Sequence, residues 1–335
     1  MSSTANRPLE IAVIGGGSFG TAIVKMLSES EVPFRWWMHN EESAAHVRQF
    51  HHNPKYLTDV ELYTEVIEVY TDINAAIDGA DLVVLVTPSA YLKPALSGLT
   101  VSLADKKVFS AIKGIVPEEN MIVGNYLQKI MGVPESNIGV ITGPCHAEEI
   151  ALERLSYLTV ASQNKDLARQ MADRLTCSYV KCTLSEDIYG TEYAAVIKNI
   201  YALASGMFYG LGYGDNFQAV LMSNALREMR RFMKSVDPVS RNVKKSAYMG
   251  DLLVTCYSQF SRNRTLGAMV GRGYTVASAK AEMKMVAEGY HAVPLIYKLK
   301  KHKEVKMPIV RAVYDVLYEG KSAKKTMAKL AQKLN

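Results

Sequence analysis

The stretch Leu9–Gly20, LEIAVIGGGSFG, decides the fold of this chain. Ile11, Val13 and Ile14 form a short apolar run rich in β-branched residues, which is typical of a strand buried on both faces. The run leads directly into a G-x-G-x-x-G turn, and Thr21–Leu27 then has the pattern of an apolar helix. This order of strand, glycine turn and helix favours a dinucleotide site over an ordinary glycine-rich turn.

Each glycine of the turn has a physical role in that context. Gly15 permits the tight turn from strand to helix, Gly17 lets the backbone approach a pyrophosphate, and Gly20 lets helix and strand pack closely. The first amides of the helix, at its positive dipole end, would then face the phosphates of the dinucleotide.

Length and composition indicate an ordinary two-domain globular protein. The chain has 335 residues, more than one compact core usually holds, and 48% of them are hydrophobic against 21% charged. The formal net charge of +6 indicates only a weak preference for anionic ligands. Because no arginine-rich tract with interleaved aromatic residues is present, we expect no nucleic-acid partner.

Cysteine usage and hydropathy predict a reduced cytoplasmic protein. The four cysteines contain no C-x-x-C spacing, so we expect thiols rather than disulfides or a metal site. Met1–Arg7 lacks the apolar segment of a secretory signal, and no apolar run is long enough to predict an integral membrane segment. The adjacent histidines His51 and His52 lie in a predicted loop without a carboxylate at metal spacing, so no metal is predicted there.

The pattern of secondary structure changes once along the chain. Predicted strands and helices alternate as far as Thr183, which indicates an α/β Rossmann domain with a doubly wound, mostly parallel sheet. From Asp187 onward the periods are helical and predict an all-α domain. We therefore expect a dinucleotide-binding domain over residues 1–185 and a helical substrate-binding and catalytic domain over residues 186–335.

The end of the second predicted strand bears on the choice between NAD and NADP. In NAD-selective folds an acidic residue at this position bonds the ribose 2′-hydroxyl, but here the strand ends in His39 and Asn40. A histidine there suits an adenine or a 2′-phosphate, whereas a helix-capping Asn40 beside a surface His39 is equally compatible with the sequence. The residues at this position are therefore compatible with either NAD or NADP.

Lys198 is the candidate acid–base residue. It lies in the predicted helix Asp187–Met207, and the residues on its stripe are all small: Thr191, Ala194, Ala195, Ala202 and Ser205. Small neighbours let a ligand or another backbone come close, and a lysine in a partly dry site becomes usable as an acid or base. The alternative is a lysine whose ammonium extends to solvent.

The segment Ser261-Arg262-Asn263-Arg264 is a candidate phosphate site. Arginine beside hydroxyl and amide groups suits a bidentate grip on phosphate, although two solvated arginines in a turn would give the same pattern. Asp251, Thr255 and Arg262 would share one stripe if their helix continued through Gln259. Lys113, at a predicted strand tip, would be a third cation. These residues favour hydride transfer to a small phosphorylated substrate.

Seven segments of the chain resemble the NAD(P)-dependent glycerol-3-phosphate dehydrogenase family. They occur in the family's order between about Ile11 and Tyr290: GGGSFGTA, SAIKG, ITGPCHAEE, EYAAVIKNIYALASGM, GDNFQA, MGDLLVTCYSQFSRNR and VAEGY. The resemblance implies an N-terminal Rossmann domain, a helical C-terminal domain of the 6-phosphogluconate dehydrogenase type, and a homodimer. It also implies NAD or NADP as cofactor and dihydroxyacetone phosphate or glycerol 3-phosphate as substrate, with glycerol 3-phosphate supplied to phospholipid synthesis.

The resemblance assigns roles to individual residues. The catalytic group would be Lys198 with Asn199, and we expect Asp251 and Thr255 to position Lys198. The resemblance implies that the substrate is held by Lys113, Gly143, Asp251, Ser261, Arg262 and Asn263. It implies that the cofactor contacts Ser18, Phe19, His39, Lys113, Ala147, Arg262, Val286 and Glu288, in addition to the turn glycines Gly15, Gly17 and Gly20.

Two positions depart from the family pattern. Cys145 stands where the family usually has a threonine or serine after Gly-Pro, so a weak thiol replaces a hydroxyl donor to the substrate. Asn40 follows His39 where an aspartate is common. Two other functions remain alternatives: a related two-domain hydroxy-acid reductase, and a dinucleotide-binding sensor without catalytic activity.

Overall fold

The computed structural model describes residues 9–283 and 285–335, so the polar N-terminus Met1–Arg7 lies outside the described residues. By its internal contacts the chain divides into two units. The first runs to Ile112 and includes Val123–Ile188, and the second comprises Lys113–Ile122 and Tyr189–Asn335. A single domain boundary at residue 185 does not describe the short segment Lys113–Ile122, which groups with the second unit.

The first unit contains one sheet of eight strands. In chain order these are β1 Ile11–Ile14, β2 Phe34–Trp37, β3 Ile67–Tyr70, β4 Leu82–Leu85, β5 Lys107–Ser110, β8 Ile138–Thr142, β9 Ser156–Ser162 and β10 Val180–Ser185, while β6 Ile115–Val116 and β7 Met121–Ile122 form a separate hairpin. The sheet order is β10-β9-β8-β5-β4-β1-β2-β3, and among these strands only β8 and β9 pair antiparallel. The predicted doubly wound, mostly parallel sheet is confirmed.

Helices cover this sheet and bury its apolar faces. They are α1 Ser18–Ser28, α2 Glu41–Phe50, α3 Ile73–Ile77, α4 Leu92–Leu96, α5 Val123–Lys129, α6 Ala147–Ala151 and α7 Lys165–Leu175. All four residues of β1 are buried, as are all four of β4, because helices pack on both sides of a parallel sheet. In the sheet, β1 and β4 are neighbours: β2 and β3 lie beyond β1, and β5 lies beyond β4. The strand order therefore reverses between β1 and β4, which is the topological switch point. Ligands of such sheets bind outside the carboxyl ends of the strands at this point.

The second unit is helical apart from the β6–β7 hairpin. Its helices are α8 Ile188–Gly210, α9 Asp215–Val236, α10 Asp251–Tyr257, α11 Arg262–Gly271, α12 Val276–Glu282, α13 Glu288–His302, α14 Pro308–Leu317 and α15 Ala323–Ala331. The core is built around α8, and Ile115 and Ile122 of the hairpin are buried in the same core. This burial explains why the hairpin groups with the helices. Among the described residues, no helix is both long and apolar enough to cross a membrane.

Helices α8 and α11 cross at unusually short distance because glycines line both sides of the contact. A Cβ on Gly206 would lie 2.0 Å from the carbonyl oxygen of Arg264, and one on Gly267 would lie 2.1 Å from that of Leu203. Gly210 and Gly271 repeat the arrangement one turn further along. Paired glycines four residues apart let two helix backbones touch directly. The crossing therefore fixes the helix that carries Lys198 against the helix that begins at Arg262.

Candidate active site

The glycine turn of the first unit has the geometry expected of a pyrophosphate site. Gly15 has a φ of +134°, and a Cβ there would lie 3.0 Å from the backbone nitrogen of Thr87 at the end of β4. A Cβ on Gly20 would lie 2.2 Å from the carbonyl oxygen of Gly15, so helix and turn pack at backbone distance. Beside Gly17 the space is open for at least 4 Å. These residues fit a dinucleotide, because the open side of the turn leaves room for its phosphates.

The other predicted cofactor and substrate residues of the first unit lie at the ends of its strands. His39 is exposed after β2, while the Asn40 side chain caps α2 by accepting a 2.8 Å hydrogen bond from the backbone of Ser43. Gly143 follows β8 with a φ of +114°. Buried Cys145 and Ala147 come directly after it, and Ser18 and Phe19 open α1.

Lys198 and Asp251 form a buried ion pair in the second unit. The ammonium of Lys198 donates a hydrogen bond to Oδ1 of Asp251, and the two residues are only 3% and 1% exposed. The small residues predicted to flank Lys198 are all buried, so its ammonium does not extend to solvent. The solvent-exposed alternative for Lys198 is therefore wrong.

A second lysine contacts the same carboxylate. Lys113 Nζ lies 3.7 Å from Oδ1 of Asp251, and the side-chain amide of Asn199 donates a 2.8 Å hydrogen bond to the backbone carbonyl of Lys113. Oδ2 of Asp251 is buried and has no hydrogen-bond partner among the described residues. One carboxylate thus holds two cations through Oδ1 and retains an acceptor at Oδ2.

The environment of this ion pair is dry. Cys256 is fully buried on the helix that carries Asp251, and burial raises the pKa of its thiol although the nearby Lys198 ammonium lowers it. Electrostatic interactions are stronger in such a site than in water. The position of Lys198 therefore suits an acid–base group.

Asp251, Thr255 and Arg262 do not lie on one continuous helix. α10 ends at Tyr257, and Ser258 has the extended φ and ψ of −63° and 138° that end a helix. Ser261 then begins a new helix by accepting a hydrogen bond from the backbone of Arg264. The hydroxyl of Thr255 donates to the backbone carbonyl of Asp251 at 2.6 Å, which occupies its one donor. Within the described part of the chain, the Thr255 hydroxyl makes no hydrogen bond to Lys198.

The predicted phosphate segment begins α11 and is tied to the segment before α13. The Arg262 guanidinium donates a 3.4 Å hydrogen bond to the carbonyl of Val286, and the Asn263 side chain accepts a 2.8 Å bond from the backbone of Gly289. Glu288 is the first residue of α13. Arg262 is half-buried, so its guanidinium is constrained by these neighbours rather than fully solvated.

The second unit thus brings together ten predicted site residues, although their roles remain predictions. They are Lys113, Lys198, Asn199, Asp251, Thr255, Ser261, Arg262, Asn263, Val286 and Glu288. Sequence reasoning did not identify the glycines that let helices α8 and α11 pack closely enough to bring these residues together. The spacing Gly206-x-x-x-Gly210 and Gly267-x-x-x-Gly271 was the available signal, and Gly289 packs against the backbone of Asn199 in the same way.

Comparison with known proteins assigns a family to this fold and site. Residues 10–168 match the model of the NAD-dependent glycerol-3-phosphate dehydrogenase N-terminus, and residues 187–328 match that of its C-terminus. The chain is 36% identical over 325 residues to a glycerol-3-phosphate dehydrogenase (NAD(P)+) of an Exiguobacterium species, covering 96% of this chain and 95% of the relative. It is also 36% identical to the protein of that name from Geobacillus kaustophilus, covering 96% and 93% of the two chains.

Solved structures agree with the sequence relatives. The crystal structure of glycerol-3-phosphate dehydrogenase from Coxiella burnetii superposes with a TM-score of 0.87 at 25% identity, covering 96% of this chain and 98% of that one. A D-mandelate dehydrogenase complex with NADH shares the fold alone, with a TM-score of 0.61 at 15% identity over 96% and 99% of the two chains. The family resemblance and the fold class predicted from the sequence are both confirmed. The chain therefore belongs to the NAD-dependent glycerol-3-phosphate dehydrogenase family of oxidoreductases.

Proposed function

We propose that this chain interconverts dihydroxyacetone phosphate and sn-glycerol 3-phosphate, with NADH or NADPH as hydride donor and Lys198 as the acid–base residue. The observation that carries the proposal is the buried ion pair of Lys198 and Asp251. A binding module does not need a proton donor, whereas a reductase needs one for the oxygen that receives negative charge.

Bound NADH or NADPH supplies the hydride that adds to the C2 carbonyl carbon of dihydroxyacetone phosphate. Lys198 donates the proton that the C2 oxygen acquires, so that one hydride and one proton complete the alcohol. Asp251 holds and orients the amino group of Lys198, and its Oδ2 remains available to accept a hydrogen bond from a substrate hydroxyl. In the reverse direction the neutral Lys198 amine takes the proton from glycerol 3-phosphate.

The phosphate of the substrate would be held by the start of α11 and by Lys113. Arg262 supplies planar, bidentate donors, and Ser261 and Asn263 are fixed beside it by their own hydrogen bonds. Lys113 adds a second positive charge and is anchored through its backbone by Asn199. Gly143 and the backbone next to Cys145 complete the substrate contacts that we propose, with Cys145 as a weak donor in place of a hydroxyl.

The cofactor would be held by Gly15, Gly17, Ser18, Phe19 and Gly20 at its pyrophosphate, and by His39 at its adenosine end. We assign the further cofactor contacts to Lys113, Ala147, Arg262, Val286 and Glu288. Because the end of β2 bears a histidine instead of a carboxylate, both NAD and NADP fit this proposal. We further propose a cytoplasmic homodimer that supplies glycerol 3-phosphate to phospholipid synthesis.

The test is an assay of absorbance at 340 nm with dihydroxyacetone phosphate and either NADH or NADPH. We expect oxidation of at least one cofactor, and a loss of rate of about 10²–10⁴-fold in Lys198→Ala. Lys165→Ala is the matched control, because this exposed lysine pairs only with an exposed glutamate in the first unit. Cofactor binding without oxidation would favour the hydroxy-acid reductase or the sensor, and near-normal turnover in Lys198→Ala would remove Lys198 from the mechanism.

A further inference from the structure

Asn53 is a fully buried polar residue that the mechanism above does not use. It follows the two histidines of the loop after α2, is 1% exposed, and makes four hydrogen bonds. Its Oδ1 accepts from the backbone amides of Lys55 and Tyr56 and so closes its own turn. Its Nδ2 donates two further hydrogen bonds, one to the glycine turn and one to Thr21.

One of the two hydrogen bonds that Asn53 donates reaches a carbonyl of the glycine turn directly, and the other reaches the turn through the side chain of Thr21. Nδ2 donates to the carbonyl oxygen of Gly16 at 3.0 Å and to the Thr21 hydroxyl at 2.8 Å. Thr21 is itself fully buried. Its hydroxyl, which accepts from Asn53, donates a hydrogen bond of 3.1 Å to the carbonyl oxygen of Gly17. Asn53 therefore holds the carbonyl of Gly16 directly and that of Gly17 through Thr21.

Holding a carbonyl also orients the amide on the other side of the same peptide plane. In a trans peptide the C=O and N–H groups point in opposite directions, and the described part of the chain contains no cis peptide bond. The carbonyl of Gly16 shares its plane with the amide of Gly17, and the carbonyl of Gly17 shares its plane with the amide of Ser18. Both amides are therefore directed away from Asn53, and a Cβ on Gly17 would project into open space.

We propose that Asn53, acting through Thr21, is a positioning residue for the cofactor: it turns the Gly17 and Ser18 amides toward the pyrophosphate. Donors that are already ordered before the ligand binds lose little conformational entropy on binding, so the affinity is higher. This inference rests on the proposed function, because it takes the glycine turn as the pyrophosphate site. The buried amide is neutral, so it orients the turn without adding a charge that would compete with the phosphates.

The experiment measures dissociation constants of NADH and NADPH by nicotinamide fluorescence in the full-length protein. Asn53→Asp keeps the acceptor for Lys55 and Tyr56 but loses the donor to Gly16, and we expect at least about a tenfold weaker cofactor affinity. Thr21→Val removes the hydroxyl without adding a charge, and we expect a loss of about three- to tenfold. Thr21→Ser restores the hydroxyl and should bind within about twofold of the parent protein.

Two comparisons separate positioning from general damage. Asn164 is the matched control, because it also accepts a backbone hydrogen bond at the start of a helix of this unit, and Asn164→Asp should leave both dissociation constants unchanged. We expect kcat at saturating cofactor to stay within about threefold of the parent in all variants, because Asn53 touches no reacting atom. The loss should therefore appear in cofactor affinity alone.

The outcomes distinguish this inference from the proposed function. If the parent protein binds neither cofactor, the proposed function fails and the role of Asn53 fails with it. If the parent binds but Asn53→Asp and Thr21→Val bind equally well, only the positioning role is overturned. If Asn53→Asp does not fold, the pair Thr21→Val and Thr21→Ser decides: equal cofactor affinity of the two overturns the proposal, and weaker binding by Thr21→Val alone supports it.

Discussion

The side-chain amide of Asn199 holds the backbone carbonyl of Lys113 at 2.8 Å. Asn199 is next to Lys198 on α8, so one helix carries the proposed acid–base residue and anchors the proposed phosphate-binding lysine. We expect Asn199→Ala to raise KM for dihydroxyacetone phosphate by about three- to tenfold, because one hydrogen bond is worth about 1 kcal/mol. Steady-state kinetics measure this change. Asn224→Ala, on the exposed face of α9, is the control and should leave KM unchanged.

Removing one partner of the Lys198–Asp251 ion pair should strongly destabilise the second unit. Asp251→Leu leaves a buried ammonium without its carboxylate, so we expect the free energy of unfolding to fall by about 3–5 kcal/mol. Adding Lys198→Met removes the more buried of the two cations that Asp251 contacts and should recover at least about 1 kcal/mol. Urea unfolding of the parent, both single variants and the double variant measures the coupling. Additive losses would contradict a buried pair.

The glycine crossing of α8 and α11 should not accept a methyl group. A Cβ on Gly206 would lie 2.0 Å from the carbonyl oxygen of Arg264, so Gly206→Ala must separate the helices and should cost at least about 2–3 kcal/mol. Gly214 is the control, because no atom lies within 4 Å of the Cβ it would gain, and Gly214→Ala should cost under about 1 kcal/mol. Thermal or urea unfolding checks both values, and equal losses would refute the close crossing.

Glu228 should make the stability of the protein depend on pH. It is fully buried on α9 and accepts hydrogen bonds from the backbone amides of Ile309 and Val310 at the start of α14. Burial raises the pKa of Glu228 from an ordinary 4.5 to about 7, although those amides, Arg231 and Lys300 lower it. Between these values the folded state binds more protons at Glu228 than the unfolded state, so the contribution of Glu228 to stability is full at low pH and is lost as pH rises to about 7.

The measurement is the free energy of unfolding of the parent and of Glu228→Gln between pH 5 and pH 8. From the shift of pKa, we expect the parent to lose about 2–3 kcal/mol across the window relative to the variant, which cannot ionise. At pH 5 we expect the variant to be less stable than the parent, because its amide nitrogen replaces one acceptor of the two backbone bonds. Parallel pH profiles for the two proteins would assign the dependence to other groups.

His39 should influence the choice of cofactor. Because His39 is exposed directly after β2, His39→Asp introduces a carboxylate where NAD-selective folds bond the ribose 2′-hydroxyl. We expect the ratio of kcat/KM for NADH to that for NADPH to rise by at least about tenfold, since a carboxylate also repels a 2′-phosphate. His302→Asp, at the end of α13, is the control for a change of charge alone. An unchanged ratio would place the adenosine elsewhere.

Local signals in the sequence predict the strand and glycine turn that begin the first unit and the helical character of the second. The strand Ile11–Ile14 and its glycine turn are dictated by neighbouring residues, so they could be read from one segment. Lys198 was recognised because its small neighbours lie at helical spacing on the same element. The helical periods from Asp187 onward also predict the helices that make up most of the second unit.

Contacts between distant segments could not be read in this way. The shared stripe of Asp251 and Arg262 required a continuous helix, but the turn after Tyr257 ends α10 and Ser261 starts another helix. The bond from Asn199 to Lys113 joins residues 86 positions apart, and that from Asn53 to Gly16 joins residues 37 apart. Neither contact produces a periodic pattern in the sequence, because each depends on how whole secondary-structure elements pack.

The path of the chain through its two units has a consequence for inheritance and engineering. The polypeptide leaves the first unit after Ile112, returns at Val123 and leaves again after Ile188. A fragment cut near residue 185 would keep Ile115 and Ile122 without the core that buries them, and the remaining fragment would lack Lys113. Neither fragment is a self-contained module that recombination could exchange, so one cut in the sequence cannot separate the two units with their residues intact.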